Sequence, residues 1–378
     1  MKYTALALAL LTMTLEAGAA PDREAEPGFG ERPGESSVAV DANRVGQVAG
    51  VIEDADGRRR AVMYAQGRVT ELGTLGGSDS YTTAINASGV VTGSAQNAEG
   101  RWRAFIYTPG QGMRGLDTLG GNSSHGLAIN QLGQVAGHAD VANGDFHAMV
   151  FDGAQMRDLG TLGGKTSYAT SINNSGQVVG TAQNAQGYRR AFLYQPGEGI
   201  VELPSLGGRV SSAAAINDAG VIAGTAETAD RRMHAFVYDG KTMIDLGAKI
   251  GHGTNTYATG INAAGHVVGS VTAQGFAPLT FVYREGKISV HPREAGLYLT
   301  NKINDSGLVV GAKFSGQRLQ AFGVDEVAPV KETSPWDWAV RAVLLAAAGF
   351  MLVKMQRRAS ASMFPSGSVR VVSHNFVR

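Results

Sequence analysis

Residues 81–119 read YTTAINASGVVTGSAQNAEGRWRAFIYTPGQGMRGLDTL. Four short β-favouring runs, 81–85, 90–95, 103–107 and 113–119, are separated by turn chemistry: Asn86-Ala87-Ser88-Gly89, Asn97-Ala98-Glu99-Gly100 and Thr108-Pro109-Gly110. An Asn in the first turn position bonds the backbone two residues on, and a Gly in the last tolerates positive φ. The stretch is expected to form a four-stranded antiparallel meander.

The same unit recurs along the chain. An Asn followed by Gly three and seven residues later stands at Asn43, Asn86, Asn130, Asn173, Asn217, Asn262 and Asn304, with spacings of 43, 44, 43, 44, 45 and 42. A small residue follows eighteen positions after the first six, at Ala61, Ala104, Ala148, Ala191, Ala235 and Thr280, and seventeen after the last, at Ala321. Thr-Leu-Gly-Gly or its Ser variant closes four units, starting at Thr74, Thr118, Thr161 and Ser205. In the second strand, Val48, Val91, Val135, Val178, Ile222, Val267 and Val309 lie on the face of the second Gly, and the intervening residues on the opposite face are also mostly apolar. Sheets buried on both faces are implied. The expected fold is an all-β propeller of about seven four-stranded blades over residues 36–325, which also disposes of free sheet edges. A β-solenoid with two coils per repeat is the alternative; Asn-Gly hairpin turns favour the propeller. Unit seven shows no clear fourth strand, so either residues 327–331 supply it or a segment before Ser36 does.

These units resemble the bacterial HAF family of extracellular repeats. The resemblance is carried by His234-Ala235-Phe236, the related His147-Ala148-Met149, Arg103-Ala104-Phe105 and Arg190-Ala191-Phe192, and the run Asp158-Leu159-Gly160-Thr161-Leu162-Gly163-Gly164. It covers about 290 residues and departs in unit six, where Leu279-Thr280-Phe281 replaces the triplet. It implies an exported repeat protein with no assigned chemistry.

Both ends read as targeting segments. Residues 1–20 carry Lys2, an apolar stretch from Ala5 to Leu11 and the small-x-small pattern Ala17-Gly18-Ala19, the pattern of a secretory signal peptide. Residues 21–35 read as a Pro-, Gly- and charge-rich linker, and 326–335 as a second one. Residues 336–355 are expected to form a transmembrane helix, with Trp336 and Trp338 at one interface and Lys354, Arg357 and Arg358 holding the cytoplasmic side. Residues 356–378 are left as a basic, disordered tail. The address implied is the cell surface, periplasm or exterior, with the chain anchored by its C-terminal helix.

Composition narrows the function classes. The 378 residues include 52 glycines, about twice the usual ~7%, and a balance of 33 basic against 32 acidic side chains. No global field recruits nucleic acid, and no aromatic-basic pattern suggests it. Zero cysteines exclude disulfides, thiol catalysis and Cys-ligated zinc. Nucleotide-binding loops, zinc-protease motifs and nucleophile elbows are absent from the sequence, and no cofactor is expected.

Two constellations stand out. His138, Asp140, Asp145 and His147 flank Val141-Ala142-Asn143-Gly144, and a four-residue loop would set them as two rungs on one face, ligands suited to zinc. A three-residue loop with a Gly bulge would shift the register by one and dissolve the set. Secondly, five residues before the repeat Asn stand Tyr81, His125, Tyr168, Ser212 and Tyr257, each preceded by a hydroxyl residue: Ser80, Ser124, Ser167, Ser211 and Thr256. In a ring, Tyr81, His125, Tyr168 and Tyr257 would display aromatic faces beside hydroxyls on one rim, suited to a glycan or protein ligand. The alternative is that these rings pack between blades. The function expected is a non-catalytic, exported display of a propeller binding surface. An envelope enzyme acting on glycans, a hydrolase or lyase, is the second reading.

Overall fold

A computed structural model describes residues 34–251, 253–273, 278–291, 298–315 and 318–324. The chain divides into two units, Met1–Val327 and Ala328–Arg378. The second lies outside the described residues, as do the expected signal peptide and transmembrane helix. Among the described residues no helix is long and apolar enough to cross a membrane.

The first unit is a seven-bladed β-propeller. Seven antiparallel sheets follow one another at residues 36–71, 76–115, 120–160, 163–202, 207–245, 255–291 and 298–324, each a meander in strand order. The first strands of successive blades touch all round the ring, including blade one against blade seven. They therefore line the axis, with fourth strands outermost. This closure removes the solenoid alternative. Ser36–Ala42 is the first strand of blade one, and blade seven has three strands among the described residues; both residues 327–331 and the chain before residue 34 lie outside them.

The strand limits of blade two differ from the expectation most at its first and last strands. The first strand of blade two begins at Gly76, five residues early, because Gly77 lies so close to the second strand that a Cβ there would sit 2.5 Å from Gln96 Cβ. The fourth ends at Gly115, after which the chain leaves for the next blade.

The core is divided among the joints. Seven clusters of buried apolar residues each span two neighbouring blades: Ala49, Ala61, Met63 and Leu72 of blade one meet Ile85, Val91, Ala95 and Phe105 of blade two, and Val48, Val62 and Ala39 meet Val310 and Ala321 across the seam. The third-strand aromatics Phe105, Phe192, Phe236 and Phe281 are fully buried there. Buried second-strand residues such as Val91 and Thr92, on opposite faces, bear out the reading of sheets packed on both sides.

The repeat Asn does more than make a turn. Its Oδ1 accepts backbone N–H groups two and four residues on, as Asn130 does from Leu132 and Gln134. Its Nδ2 donates to the carbonyl of the next blade's Asn: Asn43 to Asn86, Asn86 to Asn130, Asn130 to Asn173, Asn173 to Asn217, Asn217 to Asn262 and Asn262 to Asn304, at 3.0–3.2 Å. Asn304 donates to Asn43 at 2.9 Å and completes the circle.

The hydroxyls expected on a rim form a second inter-blade set. Ser80, Ser124, Ser167, Ser211 and Thr256 are buried, and each accepts the N–H of the preceding blade's marker Ala: Ala61, Ala104, Ala148, Ala191 and Ala235. Ser37 does the same for Ala321 across the seam at 3.0 Å. The expectation that they stand beside the aromatics on one surface is corrected. The hydroxyls are buried in the joint with the preceding blade, whereas Tyr81, His125, Tyr168 and Tyr257 stay half-buried.

Candidate functional site

The meander places the turns between strands two and three, and the connections between blades, at one end of the ring. The Asn turns lie at the other. The Asn end holds a cavity of about 160 Å³ lined by Asn130, Asn173, Asn217 and Asn262 of the Asn circle and by Gln131, Asn174, Asp218 and Asp305. These polar groups are spent on the preceding blade: Asn174 Oδ1 accepts from Gln131 N, and Asp218 accepts from both Asn174 N and Nδ2.

The opposite end departs from sevenfold repetition. Across blades two and three the rings of Tyr81, Trp102, His125, His138 and Phe146 form a continuous band. Centroid separations run 5.3, 6.1, 4.8 and 5.5 Å, with the two imidazoles stacked. The Arg59 guanidinium of blade one lies 5.3 Å from the Tyr81 ring and 5.6 Å from that of Trp102. Each ring of the band is half-buried. Repeat geometry assembles it: His138 pairs across the sheet with His125, and Tyr81 Oη lies 3.0 Å from Nδ1 of His125 in the next blade, which also meets Ser94 Oγ at 3.0 Å. Trp102 and Phe146 open the third strands.

Tyr81 and His125 are thus brought together from two neighbouring blades. Tyr168 and Tyr257 hold the equivalent positions in blades four and six, half-buried, opposite Thr181 and Ser270 in register. The contributions of Arg59, Trp102, His138 and Phe146 were not foreseen. The signal was present sixteen residues after the repeat Asn, where Arg59, Trp102, Phe146, Arg189 and Met233 place a large side chain at the start of the third strand.

The metal quartet is not assembled. Val141 N donates to Asp145 O and Gly144 takes φ +88°, giving the three-residue loop with its Gly. His138 then faces Ala148, Ala139 faces His147 and Asp140 faces Phe146. His138 joins the aromatic band, whereas His147 Nδ1 meets the Asp158 carboxylate at 2.9 Å. Asp145 stays in the hairpin, its backbone N–H donating to Asn143 Oδ1. The His147–Asp158 contact belongs to the repeat: Arg60–Glu71, Arg190–Glu202 and His234–Asp245 are its counterparts, so in four blades the acid near the end of the fourth strand pairs with the residue before the marker Ala.

Burial sets the charge state of the band. Desolvation pushes His138 down to about 4, with His125 beside it adding to the shift. Burial likewise lowers His125, against the opposing Asp140 carboxylate. Nδ1 of His138 is buried without a hydrogen-bond partner among the described residues, as is Oγ1 of Thr181 at the same repeat position in blade four. A base with a depressed folded pKa leaves stability unchanged where both states are neutral, above about 6.5. Below that the unfolded chain takes the proton first, so stability falls as the pH drops toward 4. His138→Phe is expected to keep the stack and to lose less melting temperature than the parent between pH 6.5 and pH 4. An identical pH profile for the two would contradict this assignment.

No protein-family model matches the chain, and no curated protein does. Solved structures share the fold. The β-propeller domain of the Trilobed protease from Pyrococcus furiosus, which has an open velcro topology, is 12% identical with a TM-score of 0.57, over 77% of this chain and 95% of that one. Puromycin hydrolase is 15% identical with a TM-score of 0.55, over 83% of this chain and 57% of that one. The BP39L lectin from Burkholderia pseudomallei is 8% identical with a TM-score of 0.50, over 78% and 96%. At such identities the likeness is one of propeller architecture, which hosts both peptidases and lectins and decides nothing between them.

Proposed function

We propose that this chain is a non-catalytic binding protein whose propeller presents the band from Arg59 to Phe146 to a glycan or protein ligand. The observation that carries the reading is the band itself. Five half-buried rings in contact, confined to two blades, offer apolar area for a sugar face or peptide side chain, with hydroxyl and imidazole groups at hand to orient it. Tyr168 and Tyr257 extend the same level round the ring. The enzyme reading draws less support: glycoside cleavage wants two carboxylates free to move protons, and Glu71, Asp158, Glu202 and Asp245 are engaged in cross-strand pairs. Membership of the HAF repeats, export through residues 1–20 and anchoring through 336–355 complete the proposal, supported by the sequence motifs quoted above.

The test is a glycan and peptide binding screen of the purified protein, followed by variants of the band. Tyr81→Ala and Trp102→Ala are each expected to weaken the ligand found by roughly three- to tenfold, the size of a stacking contact of about 0.5–1.5 kcal/mol. The double variant should bind no ligand detectably. A double variant that melts early yet keeps full affinity per folded molecule would make these rings core and defeat the proposal.

A further inference from the structure

A second surface, remote in sequence from the aromatic band, lies between blades four and five at the same end of the ring. It is a groove of about 440 Å³ lined by Tyr188, Gly208, Arg209, Val210, Glu227 and Arg231. Tyr188 and Val210 are both 38% exposed, unusual for large apolar side chains in this protein. The Arg209 guanidinium lies 5.4 Å from the Tyr188 ring centroid, a contact that orders the cation without neutralising it. Among the described residues neither Arg209 nor Arg231 has a carboxylate partner. The nearby Asp230 is taken by Arg232 and Thr228.

The backbone points to the same place. The turns between strands two and three in blades one to four put a left-handed Gly at one position, Gly57, Gly100, Gly144 and Gly187, with φ from +74° to +88°. In blade five that position is Arg231, at φ +63°, and its N–H makes the same turn bond to Thr228 O. A β-carbon in this region is strained, and strain of this kind gathers at binding sites. Where blades one to four have the easy residue, blade five has an arginine, and it lines the groove that already holds Arg209.

We propose that the groove between blades four and five binds an acidic sugar, a uronate-bearing oligosaccharide, through Arg209, Arg231, Tyr188 and Glu227. The two guanidiniums match a carboxylate, with geometry that favours paired hydrogen bonds. Tyr188 and Val210 supply apolar area for a pyranose face. Glu227 Oε2 accepts from Arg209 N at 2.6 Å, and its carboxylate has further lone pairs for sugar hydroxyls. That acceptor is repulsive to a bare inorganic anion and suited to a hydroxylated one. The site is separate from the band, so each can fail without the other.

The experiment is calorimetric titration of the full chain with a trimer of galacturonate, its neutral galactose counterpart, and inorganic sulfate. The acidic trimer alone is expected to bind, more weakly as salt is raised from roughly 50 to 200 mM, as exposed ion pairs are screened. Arg209→Gln and Arg231→Gly are each expected to lower affinity about tenfold, the value of a hydrogen bond between charged groups. Arg231→Gly should melt no earlier than the parent, because it relieves the strained turn, so lost binding cannot be put down to lost folding. Leu132→Ser, at an exposed position of an Asn turn at the other end of the ring, should leave this affinity unchanged. Equal binding of the neutral trimer, equal binding of sulfate, no binding of the acidic trimer, or full affinity in both arginine variants would overturn the assignment.

Discussion

Asn130→Asp, an exchange that alters one atom of the side chain and keeps a good turn former, is expected to cost about 3 kcal/mol or more of folding stability. Oδ1 of Asn130 serves the turn through Leu132 N and Gln134 N, and an Asp oxygen can do the same. The Nδ2 group donates to Asn173 O at 3.0 Å and to Gln134 Oε1 at 2.7 Å. Aspartate sets a carboxylate against two acceptors at a buried joint, where an unmade hydrogen bond costs about 1–3 kcal/mol and a charge costs more. Asn130→Ala should lose a comparable amount by orphaning the Asn173 carbonyl and two turn N–H groups. Chemical denaturation of the parent and both variants measures this. An Asp variant as stable as the parent would show that the residue acts in its own turn alone and that the joint does not depend on it.

Gly180→Ala is expected to have the larger effect, above about 4 kcal/mol, with most of the protein failing to fold. A β-carbon at Gly180 would stand 2.1 Å from Tyr168 O, 2.8 Å from Ala169 Cα and 2.9 Å from Phe192 Cε1. The first two belong to the inner strand at its bulge, and the third to a ring fully buried at the joint with blade three. None can give way without moving a ladder. Gly176→Ala in the preceding turn is the control: its β-carbon meets nothing closer than 3.4 Å, and the cost there is the left-handed backbone at φ +76°, about 1–2 kcal/mol. Soluble yield and melting temperature separate the two. Comparable losses would mean that the close approach at Gly180 relaxes freely and that backbone conformation alone explains both glycines.

The repeat made the architecture legible, because Asn130 with Gly133 and Gly137 records a turn, a left-handed residue and a close crossing in eight positions. What it hid were the partners. A side-chain amide has two ends, and a local reading assigns only Oδ1; Nδ2 of Asn130 reaches a carbonyl 43 residues away. Ser124 next to His125 suggested joint display, yet the pleat sends one into the joint with blade two and the other to the band. The proposed metal quartet turned on one residue of hairpin register, which Val141-Ala142-Asn143-Gly144 leaves open until Val141 is seen to bond Asp145. Trp102 and Arg59 escaped notice because their contacts run between third and first strands of neighbouring blades, a relation that no short spacing records.

The seven-membered Asn circuit runs in a single sense and has no terminus: every amide gives to the carbonyl ahead and every carbonyl takes from the amide behind, across the seam as at every other joint. Among the described residues no blade borrows a strand from another. Topologically, then, the chain has no privileged first blade, and its order is a cyclic permutation fixed by where the polypeptide happens to be cut. The hydrogen-bonded circle passes from Asn304 to Asn43 as it does at every other joint, as though the backbone were continuous.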